Sequence, residues 1–215
     1  MIGGIQIKVC GLSRLVDAAK AGSIGADRLG FIFYPKSPRY LSVDAFRALR
    51  QELPSLSKVA VTVTPDRELL ETLQDLGFDA FQIHFSPEQT ENRIVREWSD
   101  YLTPERLWLA PKVNPAVGFD ESLVPLASTF LWDTYEKSSF GGTGKVGDWK
   151  AYKRVSERYP EKTWVLAGGL NPQNLLEALE ATGARSLDLN SGVEESPGVK
   201  DPIKLDAVKT VLNSL

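Results

Sequence analysis

The sequence predicts an α/β protein folded as a single (β/α)8 TIM barrel. Three observations predict it. Short β-branched or aromatic runs alternate with helical patterns from end to end. The runs number eight, and eight parallel units close a barrel. The 215 residues leave about 27 per unit, so connections are short, and no linker, low-complexity tract or charge block divides the chain. One domain over residues 1–215 is expected. A doubly wound open sheet uses the same alternation and is the alternative fold.

The first strand covers 5–10 and ends in Cys10 and Gly11. A helix over 14–21 follows, with Ser13 as its N-cap and Gly22 as its stop. Strand two covers 28–34 and runs into Pro35 and Pro38, which forbid continuing structure. Ser42 caps a helix over 43–51. Strand three covers 58–63, and a helix over 66–76 ends at Gly77. Strand four covers 80–84. A helix over 87–98 is expected, with a poor amphipathic pattern. Strand five covers 106–113, a short helix 121–126, and strand six 129–133. A glycine-rich loop over 140–145 leads to a helix over 149–158. Strand seven covers 163–167. Gly168, Gly169 and Asn171 precede Pro172, a first-turn residue for a helix over 173–181. Strand eight covers 185–190, Ser191 and Gly192 open a loop, and a last helix covers 204–212.

Composition excludes several classes. Net charge is −3, without the basic balance of a nucleic-acid binder. One cysteine permits no internal disulfide and no cysteine-rich metal cluster, and one histidine excludes a histidine-rich site. No metal and no cofactor is expected. The N-terminus lacks a signal pattern and no 18-residue apolar run exists, so no membrane partner is expected and the location is read as cytoplasmic.

In such a barrel the site lies at the C-terminal ends of the strands. Strand parity then selects the inward residues. Cys10 ends strand one on the face it shares with Lys8. Gln82 and His84 share a face at the end of strand four. Asp133 ends strand six, opposite in parity to Phe130 and Trp132. Asp188 and Asn190 share a face at the end of strand eight. Singly, each has a plainer explanation: a buried hydrophobe for Cys10, a loop cap for Asp133, a structural hydrogen bond for His84. Their joint placement at strand ends is what points to a catalytic mouth, in which Gln82, His84 and Asp188 are expected to bind substrate.

The glycines add a second expectation. Gly168 and Gly169 follow strand seven, and Ser191 and Gly192 follow strand eight, where backbone N–H groups of such barrels hold phosphate. Gly142 and Gly144 supply further donors from the strand-six loop. A P-loop is excluded, because Ser139 and Val146 stand where glycine and Ser/Thr are required. Arg39, held between Pro38 and Tyr40, suits a carboxylate.

Five motifs in register resemble the phosphoribosylanthranilate isomerase family of tryptophan biosynthesis. They are Lys8-Val9-Cys10-Gly11-Leu12, the run from Leu29 to Tyr40, Gly141-Gly142-Thr143-Gly144-Lys145, the run from Leu166 to Pro172, and Ser191-Gly192-Val193-Glu194 through Asp201. The resemblance implies a (β/α)8 barrel and an Amadori rearrangement of N-(5-phosphoribosyl)anthranilate. It implies Cys10 as general base, Asp133 as general acid and Arg39 as the ligand of the anthranilate carboxylate. Lys8 is a candidate to lower the Cys10 pKa. The expected ligand is a small phosphorylated molecule, and the expected assembly a monomer or homodimer. Phe85 stands where the family often has glycine, and Asn190 where it often has serine. A related isomerase that uses two aspartates is the rival, but strand one carries Cys10 and no half-chain repeat is evident. A barrel that only binds its ligand would require neither Cys10 nor Asp133.

Overall fold

The computed structural model describes residues 1–114, 116–133 and 148–215. Eight parallel strands close into a barrel in chain order: β1 (Gln6–Val9), β2 (Arg28–Ile32), β3 (Ser57–Val63), β4 (Ala80–Phe85), β5 (Leu107–Pro111), β6 (Thr129–Trp132), β7 (Thr163–Leu166) and β8 (Ser186–Leu189). β8 pairs back onto β1, with Lys8 opposite Asp188. Closure excludes the open-sheet alternative. Helices α1 (Leu15–Ile24), α2 (Val43–Leu49), α3 (Arg67–Asp75), α4 (Asn92–Leu102), α5 (Trp149–Arg158), α6 (Leu175–Thr182) and α7 (Pro202–Asn213) connect the strands. Between β8 and α7 lies a two-stranded hairpin, β9 (Glu194–Ser196) and β10 (Val199–Lys200).

Local chemistry explains where expected and observed boundaries part. α1 runs through Gly22 and stops at Gly25, whose φ of 96° is the left-handed turn that a helix end needs. Arg14, not Ser13, is its N-cap residue, and the Ser13 hydroxyl donates instead to the Gly198 carbonyl at 3.2 Å. α4 begins five residues later than expected, because Ser86 to Thr90 form a turn. In its true register α4 is well amphipathic: Val95, Trp98, Ser99 and Leu102 form one buried stripe. Phe85 extends β4 and packs edge-on against Trp98 at 5.8 Å, outside the barrel rather than at its mouth. Pro172 sits in a turn and not in a helix. The Asn171 side chain accepts from the N–H groups of Gln173 and Asn174, and α6 starts only at Leu175. The β9–β10 hairpin has no expected counterpart. Ser42 and Asp66 cap α2 and α3 by side-chain acceptance, and Asp201 caps α7 with Pro202 in its first turn.

Two cores result from strand alternation. Ile7, Val9, Phe31, Ile83 and Leu187 point outward into the helix layer. Cys10, Val59, Val61, Trp108, Leu131 and Val165 point inward. The inner core is not wholly apolar. At its floor Arg28 stacks over Trp108 at 5.3 Å and donates to Gln6 at 3.1 Å. Higher up, Lys8 and Asp188 are buried together.

Candidate active site

Cys10 follows β1, accepts no solvent contact beyond 2%, and faces the open end of the barrel. The strand that delivers it is tied on both sides: the Cys10 N–H donates to the Leu189 carbonyl at 2.8 Å, and Lys8 pairs with Arg28 of β2. Gly30 of β2 makes room beside it. A Cβ there would lie 2.9 Å from Lys8 Cε and 3.0 Å from both Lys8 Nζ and Cys10 Sγ. The amine and the thiol therefore crowd one point on the barrel wall.

Lys8 Nζ donates to Asp188 Oδ1 at 2.9 Å. Burial alone would pull the ammonium down, but the Asp188 charge and then the thiol outweigh it and hold Lys8 above its usual range. For Cys10 the balance runs the other way. Burial pushes the thiol up, Asp188 adds to this, and the opposing pull of Lys8 and Lys200 is smaller. The expected effect of Lys8 is present in direction but is outweighed, so the resting side chain is a thiol.

A cleft of about 420 Å³, open to solvent, gathers the inward strand ends. It brings together Cys10, Gln82, His84, Asp133, Asp188 and Asn190, as well as Gly168, Gly169 and Ser191. Asp133 follows β6, which lies three strands from β1 around the closed sheet, and it lines the same cleft as Cys10. Gln82 Nε2 is 2.7 Å from His84 Nε2. With the amide as donor, that ring nitrogen accepts and the imidazole proton sits on Nδ1. Burial and then the nearby Lys8 charge lower the His84 pKa to about 4, so the ring is neutral. Gln82 Oε1 is buried without a hydrogen-bond partner among the described residues.

The glycine loops are built by close approach and by turning. Gly168 and Gly169 adopt φ of 89° and 66°, open only to glycine at little cost. Asn171 and Asn174 both donate to the Gly169 carbonyl, at 3.1 and 3.0 Å. Gly192 does not line the cleft. A Cβ on it would fall 2.0 Å from the Leu170 carbonyl oxygen, so it is the point where the β7 and β8 loops touch. Gly142 and Gly144 lie outside the described residues.

Arg39 is not on the cleft wall. Its Nε donates to Glu194 Oε1 and Oε2 at 2.9 and 3.0 Å, and Nη2 to Oε2 at 2.6 Å. Lys200, 1% exposed, donates to the same Glu194 Oε1 at 2.8 Å. Burial would raise Glu194, but the Arg39 hydrogen bonds and the Lys200 charge outweigh it and hold the carboxyl below its usual range. Glu194 and Lys200 fall inside a motif legible in the sequence, yet nothing there shows that Glu194 closes on Arg39, 155 residues away, with Lys200 behind it. Among the described residues no group of acidic, histidine or cysteine side chains could hold a metal ion, and no helix is long and apolar enough to cross a membrane.

Titratable groups and glycine turns at the C-terminal mouth of eight parallel strands define a (β/α)8-barrel enzyme. The comparisons with known proteins agree and narrow it. The family described as N-(5'-phosphoribosyl)anthranilate (PRA) isomerase matches residues 7–211. The N-(5'-phosphoribosyl)anthranilate isomerase of Syntrophus aciditrophicus is 39% identical over 94% of this chain and 85% of its own length. That of Neisseria gonorrhoeae is 35% identical over 98% of both chains. The solved Thermus thermophilus isomerase superposes with a TM-score of 0.79 at 29% identity, covering 98% of this chain and 99% of the other. An isomerase solved in complex with reduced 1-(o-carboxyphenylamino)-1-deoxyribulose 5-phosphate gives 0.73 at 27% identity, covering 98% and 100%. The chain belongs to the phosphoribosylanthranilate isomerase family. It isomerises N-(5-phosphoribosyl)anthranilate in tryptophan biosynthesis, and its substrate is a small phosphorylated molecule.

Proposed function

We propose that Cys10 is the general base and Asp133 the general acid of this Amadori rearrangement. The observation that supports the reading is that both line one cleft, Cys10 just after β1 and Asp133 just after β6, three strands apart. Asp133 gives a proton to the furanose ring oxygen. The C1–O bond breaks as the anthranilate nitrogen lone pair forms an iminium. The C2 proton is then acidic, and the Cys10 sulfur removes it, giving an enolamine. Tautomerisation places a carbonyl at C2 and a proton at C1, so no atom or electron is gained or lost. Before it can take the C2 proton, the resting thiol gives its own proton to solvent, and the iminium cation close by favours the thiolate so formed.

The remaining roles belong to the same reading. Gly168, Gly169, Ser191 and Gly192 shape the phosphate cradle, with Gly142 and Gly144 contributing from the strand-six loop. Arg39 meets the anthranilate carboxylate. The orphan Gln82 Oε1 and the His84 Nδ1–H face sugar hydroxyls, one as acceptor and one as donor. Asp188 orients Lys8 beneath the base. One barrel domain over 1–215 is supported by eight consecutive strands in one closed sheet. A cytoplasmic site of action is supported by a base that works only as a reduced thiol.

Phosphoribosylanthranilate is fluorescent, and its decay reads turnover. Cys10→Ala and Asp133→Ala are each expected to lower kcat by about 10²-fold or more while keeping the native circular dichroism spectrum. Either variant turning over at the wild-type rate would remove that residue from its role.

A further inference from the structure

We infer that Glu194 is a positioning residue that presents the Arg39 guanidinium to the ring carboxylate of the substrate, with Lys200 fixing Glu194 in turn. The inference rests on the reading of Arg39 as the carboxylate ligand.

A guanidinium has five N–H donors on three edges. Glu194 occupies the edge formed by Nε and Nη2. The edge formed by Nη1 and the second Nη2 hydrogen has no partner among the described residues, and it is a two-donor fork of the spacing that a carboxylate accepts. A free arginine would have to give up rotamer freedom to present that fork. Here the freedom is already lost, since Arg39 is 12% exposed and Glu194 4%. Two observations place the Arg39 side chain beside the mouth, next to a residue that lines it. A Cβ on Gly11, the residue after Cys10, would lie 2.7 Å from Arg39 Cδ and 2.7 Å from Asn190 Oδ1. Asn190 itself lines the cleft.

Lys200 closes the arrangement. Its three hydrogens go to Glu194 Oε1 at 2.8 Å, Asn190 Oδ1 at 3.0 Å and the Asn190 carbonyl at 3.2 Å. One ammonium therefore joins the residue that holds Arg39 to the residue on the cleft wall. The β9–β10 hairpin delivers both charged partners, and the Gly198 N–H donates to Glu194 Oε1 at 3.2 Å from its turn. Pinning the hairpin alone would not require the carboxylate to take the side edge of an arginine while leaving the other edge without a partner among the described residues.

The test compares two ligands by titration calorimetry: reduced 1-(o-carboxyphenylamino)-1-deoxyribulose 5-phosphate, and its anilino counterpart without the carboxylate. Glu194→Gln is expected to weaken the carboxylated ligand by roughly ten- to a hundredfold, the loss of a charge-assisted contact, and to leave the anilino ligand within about twofold. KM should rise more than kcat falls. Arg39→Lys is expected to show the same selective loss. If Arg39→Lys is selective but Glu194→Gln weakens neither ligand, or both equally, the positioning role is overturned and the Arg39 reading stands. If Arg39→Lys leaves the discrimination intact, the Arg39 reading falls and the positioning role with it. Should Glu194→Gln fail to fold, Glu194→Asp keeps the charge but withdraws it by one methylene. It is expected to show the same selectivity, and equal affinity for the carboxylated ligand overturns the inference.

Discussion

Lys8 and Asp188 face each other at paired positions of β1 and β8, Nζ to Oδ1 at 2.9 Å, within the barrel and on the face that ends in Cys10. An ion pair this buried contributes little net stability, since desolvating two charges offsets most of their attraction. Its removal by halves is another matter.

Lys8→Met leaves Asp188 buried without its cation. The expected loss is about 3–5 kcal/mol in urea unfolding. Lys8→Met combined with Asp188→Leu removes both charges and is expected to recover most of that loss while activity stays low. Equal stability of the single and double variants would contradict this account.

The pH dependence of the base follows from the same pair. Because burial and Asp188 push the Cys10 thiol up, its thiolate fraction at pH 7 is below that of an ordinary cysteine. Alkylation by iodoacetamide is expected to be slow at pH 7 and to accelerate with a midpoint above the usual value of about 8.5. Lys8 pulls the thiol down, so Lys8→Met moves that midpoint further up. A midpoint near 7 in the free enzyme would be the contrary result.

His84 is the only histidine, so one imidazole resonance reports on the site. Its titration midpoint is expected at about 4, against the ordinary 6.5. The folded pKa lies below the unfolded one. The unfolded chain thus binds the extra proton first, and stability is full above pH 6.5 and falls as pH drops toward 4. The ring is partly reached by solvent at the mouth, which tempers the effect to about 2–3 kcal/mol. His84→Asn should flatten the stability curve across that window.

Gly192→Ala places a methyl against the Leu170 carbonyl, a backbone atom that cannot swing aside. A cost of about 1–3 kcal/mol is expected. The β7 and β8 loops would separate, so KM should rise severalfold and inorganic phosphate should inhibit less. Gly77→Ala meets no neighbour within 4 Å and is strained only by its φ of 76°. It should leave KM unchanged, and equal KM effects from both variants would dismiss loop contact as the cause.

Much of the site was legible because parity is a local property. A strand of known end sends alternate side chains inward, so Cys10, Gln82, His84, Asp133 and Asp188 could be selected without any long-range information. Gly168 and Gly169 are legible by position, as a glycine pair directly after strand seven, and the structure adds that both turn left-handed. The bounds of α4 are not legible in the same way: over 87–98 the apolar pattern is poor, because the buried stripe that defines the helix starts only at Val95 and runs past that span to Leu102. Gly22 does not end α1, because glycine stops a helix where the chain turns left-handed, and that turn falls at Gly25.

By itself the sequence determined the eightfold alternation, the inward residues at the strand ends and the family to which they belong. These rest on period, spacing and residue type, all written along the chain. Only the tertiary structure decided what those residues meet: that Asp188 neutralises Lys8 across the seam of the barrel, and that burial leaves Cys10 a thiol. It also decided that Arg39 is held by Glu194, which Lys200 holds in turn. Ion pairing and desolvation depend on distance and on excluded water, and closing the barrel brings together groups separated by 155 and 180 residues of chain.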